Sequence, residues 1–158
     1  MSQICMVTEL DTVRTRPGGS ATANFWLEIN GRQFPGHNWN DFVVVLMSRW
    51  TMALFRLLRG LNLRKVVKER VHFMEGPYAV EVSMPSSGLL RLRGLAGVDR
   101  DIEWEVGEAP ALPFILGLIS QSREALGACR RQAWWSRDAE ILESSLETLK
   151  NESEKLPG

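Results

Sequence analysis

The sequence predicts an α+β domain: an antiparallel sheet of about six to seven strands packed on a central apolar helix, with two further helices at the C-terminus. Three observations carry this. Two-residue alternation of apolar and polar side chains dominates up to about residue 34 and returns between residues 68 and 106. One long apolar stretch, NDFVVVLMSRWTMALFRLLRG (residues 40–60), interrupts it. Beyond Pro110 the alternation stops and helical spacing takes over. The turns between successive strands are short, which antiparallel neighbours allow and parallel ones do not. A chain of 158 residues with 44% hydrophobic content is expected to form a single domain, 1–158, and to bury a core without disulfides or a metal. Its last residues, 152–158, read as a frayed tail.

The first strand spans residues 3–14, and RPGGSA is a loop. The second strand, TANFWLEI, sets Phe25, Leu27 and Ile29 on one face. Asn30-Gly31 is a two-residue hairpin turn leading into RQF, and that turn places Leu27 opposite Phe34. In the apolar stretch Asn40 or Asp41 is the expected N-cap and Gly60 the left-handed terminator. The span between is at the lower limit for crossing a bilayer, and Arg49 and Arg56, seven apart, share one of its faces. Charge inside a minimal span is costly, so this is a core helix with one charged stripe, and no membrane association is expected.

KERVHFM and YAVEVSM flank Glu75-Gly76; pairing Phe73 with Tyr78 and Val71 with Val80 sets Arg70 opposite Glu81, an expected ion pair. LLRLRGL and DIEWEV follow. Leu90 and Leu92 are expected to share a face with Ile102, Trp104 and Val106, which matches Leu92 to Ile102, Arg93 to Asp101 and Arg91 to Glu103. Pro113 suits a first helical turn, and Ile115, Leu118, Ile119, Ser122, Leu126 and Cys129 recur at helical spacing. Ser136 is the expected cap of a last helix with Leu142, Leu146 and Leu149 inward.

The formal net charge of +0 and pI near 6.7 argue against a general nucleic-acid binder. Cys5 and Cys129 form neither a CxxC nor a ligand cluster, so no metal, no cofactor and no disulfide is expected. The N-terminus has no basic segment followed by an apolar one, which points to the cytoplasm. The two histidines, His37 and His72, sit in no catalytic pattern, and P-loop, HExxH, GxSxG and GxGxxG motifs are missing. A binding protein rather than an enzyme is the expectation.

Charge is unevenly spread. Six basic residues lie between Arg56 and Arg70, and five acids (Asp99, Asp101, Glu103, Glu105, Glu108) lie between 99 and 108. Asp101, Glu103 and Glu105 alternate with apolar residues and so are expected to project as a row from one sheet face. Pairing with Arg91 and Arg93 would neutralise part of that row; otherwise it is an acidic surface for a basic partner, with Glu105 unpaired. Of Trp134 and Trp135, about 100° apart on a helix, one closes the core and Trp135 is the candidate interface anchor.

The WNDFVVVLMSRW and FMEGPYAVEVS segments, with Trp39, Asp41 and Phe42 opening the apolar helix, resemble small bacterial proteins of which some look like immunity proteins of polymorphic-toxin or type VI secretion systems. The resemblance implies a small non-enzymatic protein that blocks one cognate toxin by occluding its active site. The expected interface is Asp99, Asp101, Glu103 and Glu105 with Trp135, facing a basic toxin surface. Two alternatives stand beside it. One is a small-molecule-binding or enzymatic domain with a pocket between sheet and helices using His72 and Glu81. The other is a homodimeric structural module.

Overall fold

The computed structural model describes residues 4–63 and 67–156, with the backbone alone of residue 62. The order is β1 (Ile4–Thr15), β2 (Ala21–Ile29), β3 (Arg32–Phe34), β4 (Asn40–Asp41), α1 (Val43–Asn62), β5 (Lys68–His72), β6 (Tyr78–Ser86), β7 (Leu89–Ala96), β8 (Ile102–Pro110), α2 (Ala111–Arg131) and α3 (Arg137–Ser153). Class and antiparallel pairing are as expected, but the strands form two four-stranded sheets rather than one of six to seven. In the first, β1–β2–β3 run in sequence and β4 also pairs with β2; the second is the meander β5–β6–β7–β8. Twenty residues of helix separate the two sets, and periodicity reports which face a strand buries, not which strand it pairs with.

The sheets meet through side chains. Asn30 donates from Nδ2 to the Val106 carbonyl at 2.9 Å, and Arg32 Nη1 lies 3.4 Å from Glu105 Oε2. Phe34 lies over Gly94, where a Cβ would sit 3.1 Å from its ring, and its own ring meets Phe73, Tyr78 and Trp104 at centroid distances of 5.9, 5.8 and 5.0 Å. Trp39 stands against Tyr78 at 5.3 Å and Phe73 at 6.3 Å, completing an aromatic cluster at this junction. Val43, Leu46, Met47, Trp50, Leu54, Leu57 and Leu58 of α1 are buried against strands of both sheets and against α2 and α3.

Helix α1 departs from its expected ends. Asp41 is no N-cap: its Oδ1 accepts from the adjacent Phe42 N–H at 2.7 Å, and Phe42 is the capping residue. Gly60 lies inside the helix, which continues to Asn62, and Leu63 ends it at a φ of −92°. Arg64 and Lys65 of the basic segment lie outside the described residues. At the other end, Ser136 caps α3, accepting from Ala139 N–H at 3.1 Å. Of the tail expected to fray from residue 152, Glu152 and Ser153 are buried and Leu156 packs against the core, while Glu154 and Lys155 are exposed.

Strand β1 lies at the side of its sheet, and α2 satisfies part of its outward backbone. Gln121 donates to the Met6 carbonyl at 2.7 Å while its own carbonyl accepts from Thr8. Gln132 accepts from the Thr15 N–H and donates to the Val13 carbonyl at 2.8 Å. Two glutamines thus seal a strand that would otherwise present a template for another chain. Gln121→Ala is expected to cost about 1–3 kcal/mol, as an orphaned buried carbonyl does. Hydrogen exchange should quicken along residues 4–9 and not in β6; unchanged exchange there would mean that water replaces the glutamine freely.

The register of the last hairpin is corrected. Leu92 faces Gly107, not Ile102; Arg93 faces Val106, and Arg91 faces Glu108. The turn is tight: the Arg100 N–H reaches the Gly97 carbonyl at 2.9 Å, with Gly97 at φ +98° and Arg100 at φ +50°. Strand β7 therefore runs on to Ala96, which pairs with Ile102. Gly94 then faces Glu105 while Leu95 faces Glu103, so Trp104 is the extra residue of a bulge. The bulge breaks the alternation on which the expected row of carboxylates depended. It brings Trp104 to Phe34 and leaves Ile102 63% exposed rather than on the core face.

Candidate interaction surface

In a four-stranded meander the β5–β6 and β7–β8 turns lie at the same end. They are tied together. Arg100 in the second turn donates from Nε to the Tyr78 carbonyl at 3.3 Å and from Nη2 to the Gly76 carbonyl at 3.4 Å. The first turn is held from beneath by Asp41, whose Oδ2 accepts from the Glu75 N–H at 3.2 Å and from Trp39 Nε1 at 3.0 Å. Gly76 adopts φ +70° directly over Trp39, where a Cβ would stand 3.0 Å from the indole. On this base stand three of the large exposed apolar side chains, Met74 (43%), Val98 (91%) and Ile102 (63%), with exposed Glu75, Asp99 and Asp101 among them.

The five residues expected to form the interface are thereby separated. Asp99 and Asp101 are exposed on the turn, and Asp101 precedes β8 rather than lying within it. Glu103 accepts from Arg93 Nε at 2.9 Å on the outer face of the second sheet. Glu105, facing Gly94, turns towards the first sheet and meets Arg32, whose guanidinium also lies 4.2 Å from the Trp104 ring centroid. The expectation that Glu105 has no basic partner is therefore corrected; that partner is 73 residues away in sequence and invisible to local pattern. Trp135 lies apart from the tip residues in sequence, at the α2–α3 turn, half-buried under the Arg130 guanidinium at 3.9 Å. Trp134 is the member of that pair in the core, donating to the Gly19 carbonyl at 3.1 Å.

His72 and Glu81 share a face on neighbouring strands, but it is the outer face of the second sheet, not a cleft between sheet and helices. His72 faces Ala79 and Glu81 faces Arg70, while Val71, Val80 and Val82 point inward. The expected ion pair of Arg70 with Glu81 is also replaced: Glu81 accepts from Arg93 Nη1 at 2.9 Å, with Lys68 Nζ at 3.9 Å. A trough of about 430 Å³ follows this face, lined by Lys68, Glu81, Ser83, Arg91, Arg93, Glu103 and Val106; it reaches Glu81 and not His72.

Partial burial pushes the His72 imidazole below its ordinary value, and the positive charges of Arg100, Arg70 and Arg49 push it further the same way. The folded chain resists the proton more than the unfolded chain does. This contribution to stability is present above the ordinary imidazole range and declines as pH falls through it. Both thiols move away from nucleophilic use. Burial raises Cys129, and burial with the Glu28 carboxylate raises Cys5. Cys5 lines an apolar groove of about 260 Å³ between β1 and the start of α2. Among the described residues no group of three or more His, Cys, Asp or Glu side chains is placed to hold a metal ion, and no helix is long and apolar enough to cross a membrane.

No family model matches the chain, and neither the curated proteins nor the solved structures contain a match to it.

Proposed function

We propose that this chain is a non-enzymatic protein-binding module of the immunity type, acting in the cytoplasm, with α1 as the central scaffold and the paired turns of the second sheet as its docking end. The observation that carries the reading is the gathering of Met74, Val98 and Ile102 on a tip whose two turns are locked by Arg100 and Asp41. Exposed apolar side chains rimmed by charge are what a protein interface uses, and a rigid tip loses little entropy on docking. Asp99 and Asp101 remain in the interface and would meet basic groups of the partner, whereas Glu103 and Glu105 are engaged within the chain. The immunity class rests on the resemblance of the Trp39–Asp41–Phe42 segment, in which Asp41 joins the start of α1 to this same tip.

The test is capture of a stoichiometric partner by the wild-type chain and by a Val98→Asp/Ile102→Asp variant. Loss of two central apolar anchors is expected to weaken binding by about 30-fold or more, the hot-spot range. The captured partner, expressed alone, should arrest growth and be neutralised by the wild type only. Equal capture by both chains would remove the tip from the interface, and a harmless partner would remove the immunity reading. A wild type that scatters light as a dimer, beside a monomeric variant, would assign the tip to a second copy.

A further inference from the structure

The outer face of the second sheet carries a surplus of cations that the fold itself leaves unneutralised. Strand pairing puts Lys68, Arg70 and His72 of β5, Ala79, Glu81 and Ser83 of β6, and Arg91 and Arg93 of β7 on this face. Glu81 and Ser83 of the middle strand line the trough, with Lys68 on one side and Arg91 and Arg93 on the other. Helix α1, packed against the inward side of this sheet, adds another cation at its β5 edge. Arg56 Nη1 lies 2.8 Å from Glu69 Oε1 and so fixes the helix beside β5. Seven residues back along the helix is about 10.5 Å. Three residues forward along the strand is about 10 Å. Arg49 therefore comes level with His72, and Arg100 approaches from the β7–β8 turn.

The charges do not cancel. Arg93 is held by Glu81 and Glu103, and Glu108 faces Arg91 across the ladder. Exposed Arg49, Arg70 and Arg91 make no hydrogen bond or ion pair among the described residues. Like charges assembled on one face repel unless an anion joins them. From β5 to β7 the outward positions hold no Phe, Tyr or Trp, which leaves His72 as the one ring on which a base could stack. Its interspersed carboxylates would also oppose a continuous phosphate chain. Residues two apart on a strand are about 6.8 Å apart, which is the spacing of Lys68 and Arg70 and of alternate side chains in any extended peptide.

We propose that this face, through Lys68, Arg70 and Arg91 with Arg49 at its β5 edge, binds an extended segment of a protein partner bearing acidic residues at alternate positions. The inference deepens the protein-binding reading and rests on it: the partner meets the apolar tip and lays an acidic segment along the adjoining sheet face.

The probe is a fluorescent decamer of alternating glutamate and threonine, followed by anisotropy at low and moderate salt. Wild type is expected to bind it saturably. Arg49→Ser/Arg70→Ser/Arg91→Ser should weaken binding about tenfold or more and flatten its salt dependence, since charge-assisted contacts are lost. A control that removes two exposed cations elsewhere, Arg16→Ser/Arg131→Ser, should bind as wild type; an equal loss there would overturn the site as diffuse attraction. No saturable binding would overturn it as well, as would tighter binding of a single-stranded oligonucleotide or of inorganic phosphate. The single substitutions, each taking part of the loss, replace the triple variant if it fails to fold. A tip variant that adds no charge, Val98→Ser/Ile102→Ser, should bind the decamer normally. Partner capture that depends on the tip but survives the triple variant would sink this inference alone; decamer binding intact with capture indifferent to the tip would sink the docking end alone.

Discussion

Replacing Asp41 by alanine is expected to cost about 3–5 kcal/mol of stability, because it leaves three N–H donors without their acceptor at about 1–3 kcal/mol each. The side chain is 1% exposed, and its two oxygens accept from the Phe42 N–H at 2.7 Å, the Trp39 indole at 3.0 Å and the Glu75 N–H at 3.2 Å. Those donors belong to the start of α1, to the aromatic cluster and to the β5–β6 turn, so one carboxylate joins three parts of the fold. Alanine orphans all three donors. Asparagine keeps one acceptor oxygen and should cost about 1–2 kcal/mol less. Urea unfolding checks both: the midpoint should fall with the slope unchanged. A loss below about 1 kcal/mol for alanine would mean that the donors find other partners, since each orphan alone costs that much.

The same residue shows what was legible in the sequence. Trp39, Asp41 and Phe42 stood out as a pattern at the start of an apolar helix, but Glu75, 34 residues on, could not be tied to them from spacing. Local chemistry was readable wherever a turn sets register unaided. Asn30 and Gly31 take φ of +54° and +80°, and Leu27 pairs with Phe34 as expected. Val71 pairs with Val80 for a similar reason. The β7–β8 hairpin failed because its turn closes with Arg100 at positive φ, a position at which arginine gives no signal. The bulge at Trp104 then reversed the faces of the later β8 residues. Matching apolar faces gave a self-consistent but shifted alignment. The acidic character of residues 99–105 was plain, whereas the assignment of Glu103 to Arg93 and Glu105 to Arg32 depended on that bulge and on the meeting of two sheets. The cationic face was masked for the opposite reason. Its members come from α1, β5, β7 and a turn, and only the fold adds them together.

Phe34→Ala is expected to be as damaging as the loss of Asp41, about 3–5 kcal/mol, because a fully buried aromatic is replaced by a cavity. Its position gives a sharper test than the magnitude does. Phe34 belongs to the first sheet and Gly94 to the second, and a Cβ on Gly94 would lie 3.1–3.3 Å from three atoms of the Phe34 ring. Gly94→Ala alone should therefore cost about 1–3 kcal/mol by overpacking, despite alanine's lower entropy cost in a strand. In a Phe34→Ala background the added methyl meets no ring and enters the vacated space. There the second substitution should be neutral or stabilising, giving a coupling of about 1–3 kcal/mol, far outside additivity for independent sites. Circular dichroism of the four chains in urea measures it. Additive costs would place the two sheets in separate packing units at this point. Strong coupling would mean that one ring over one glycine holds them in register, and with them the aromatic base on which the paired turns stand.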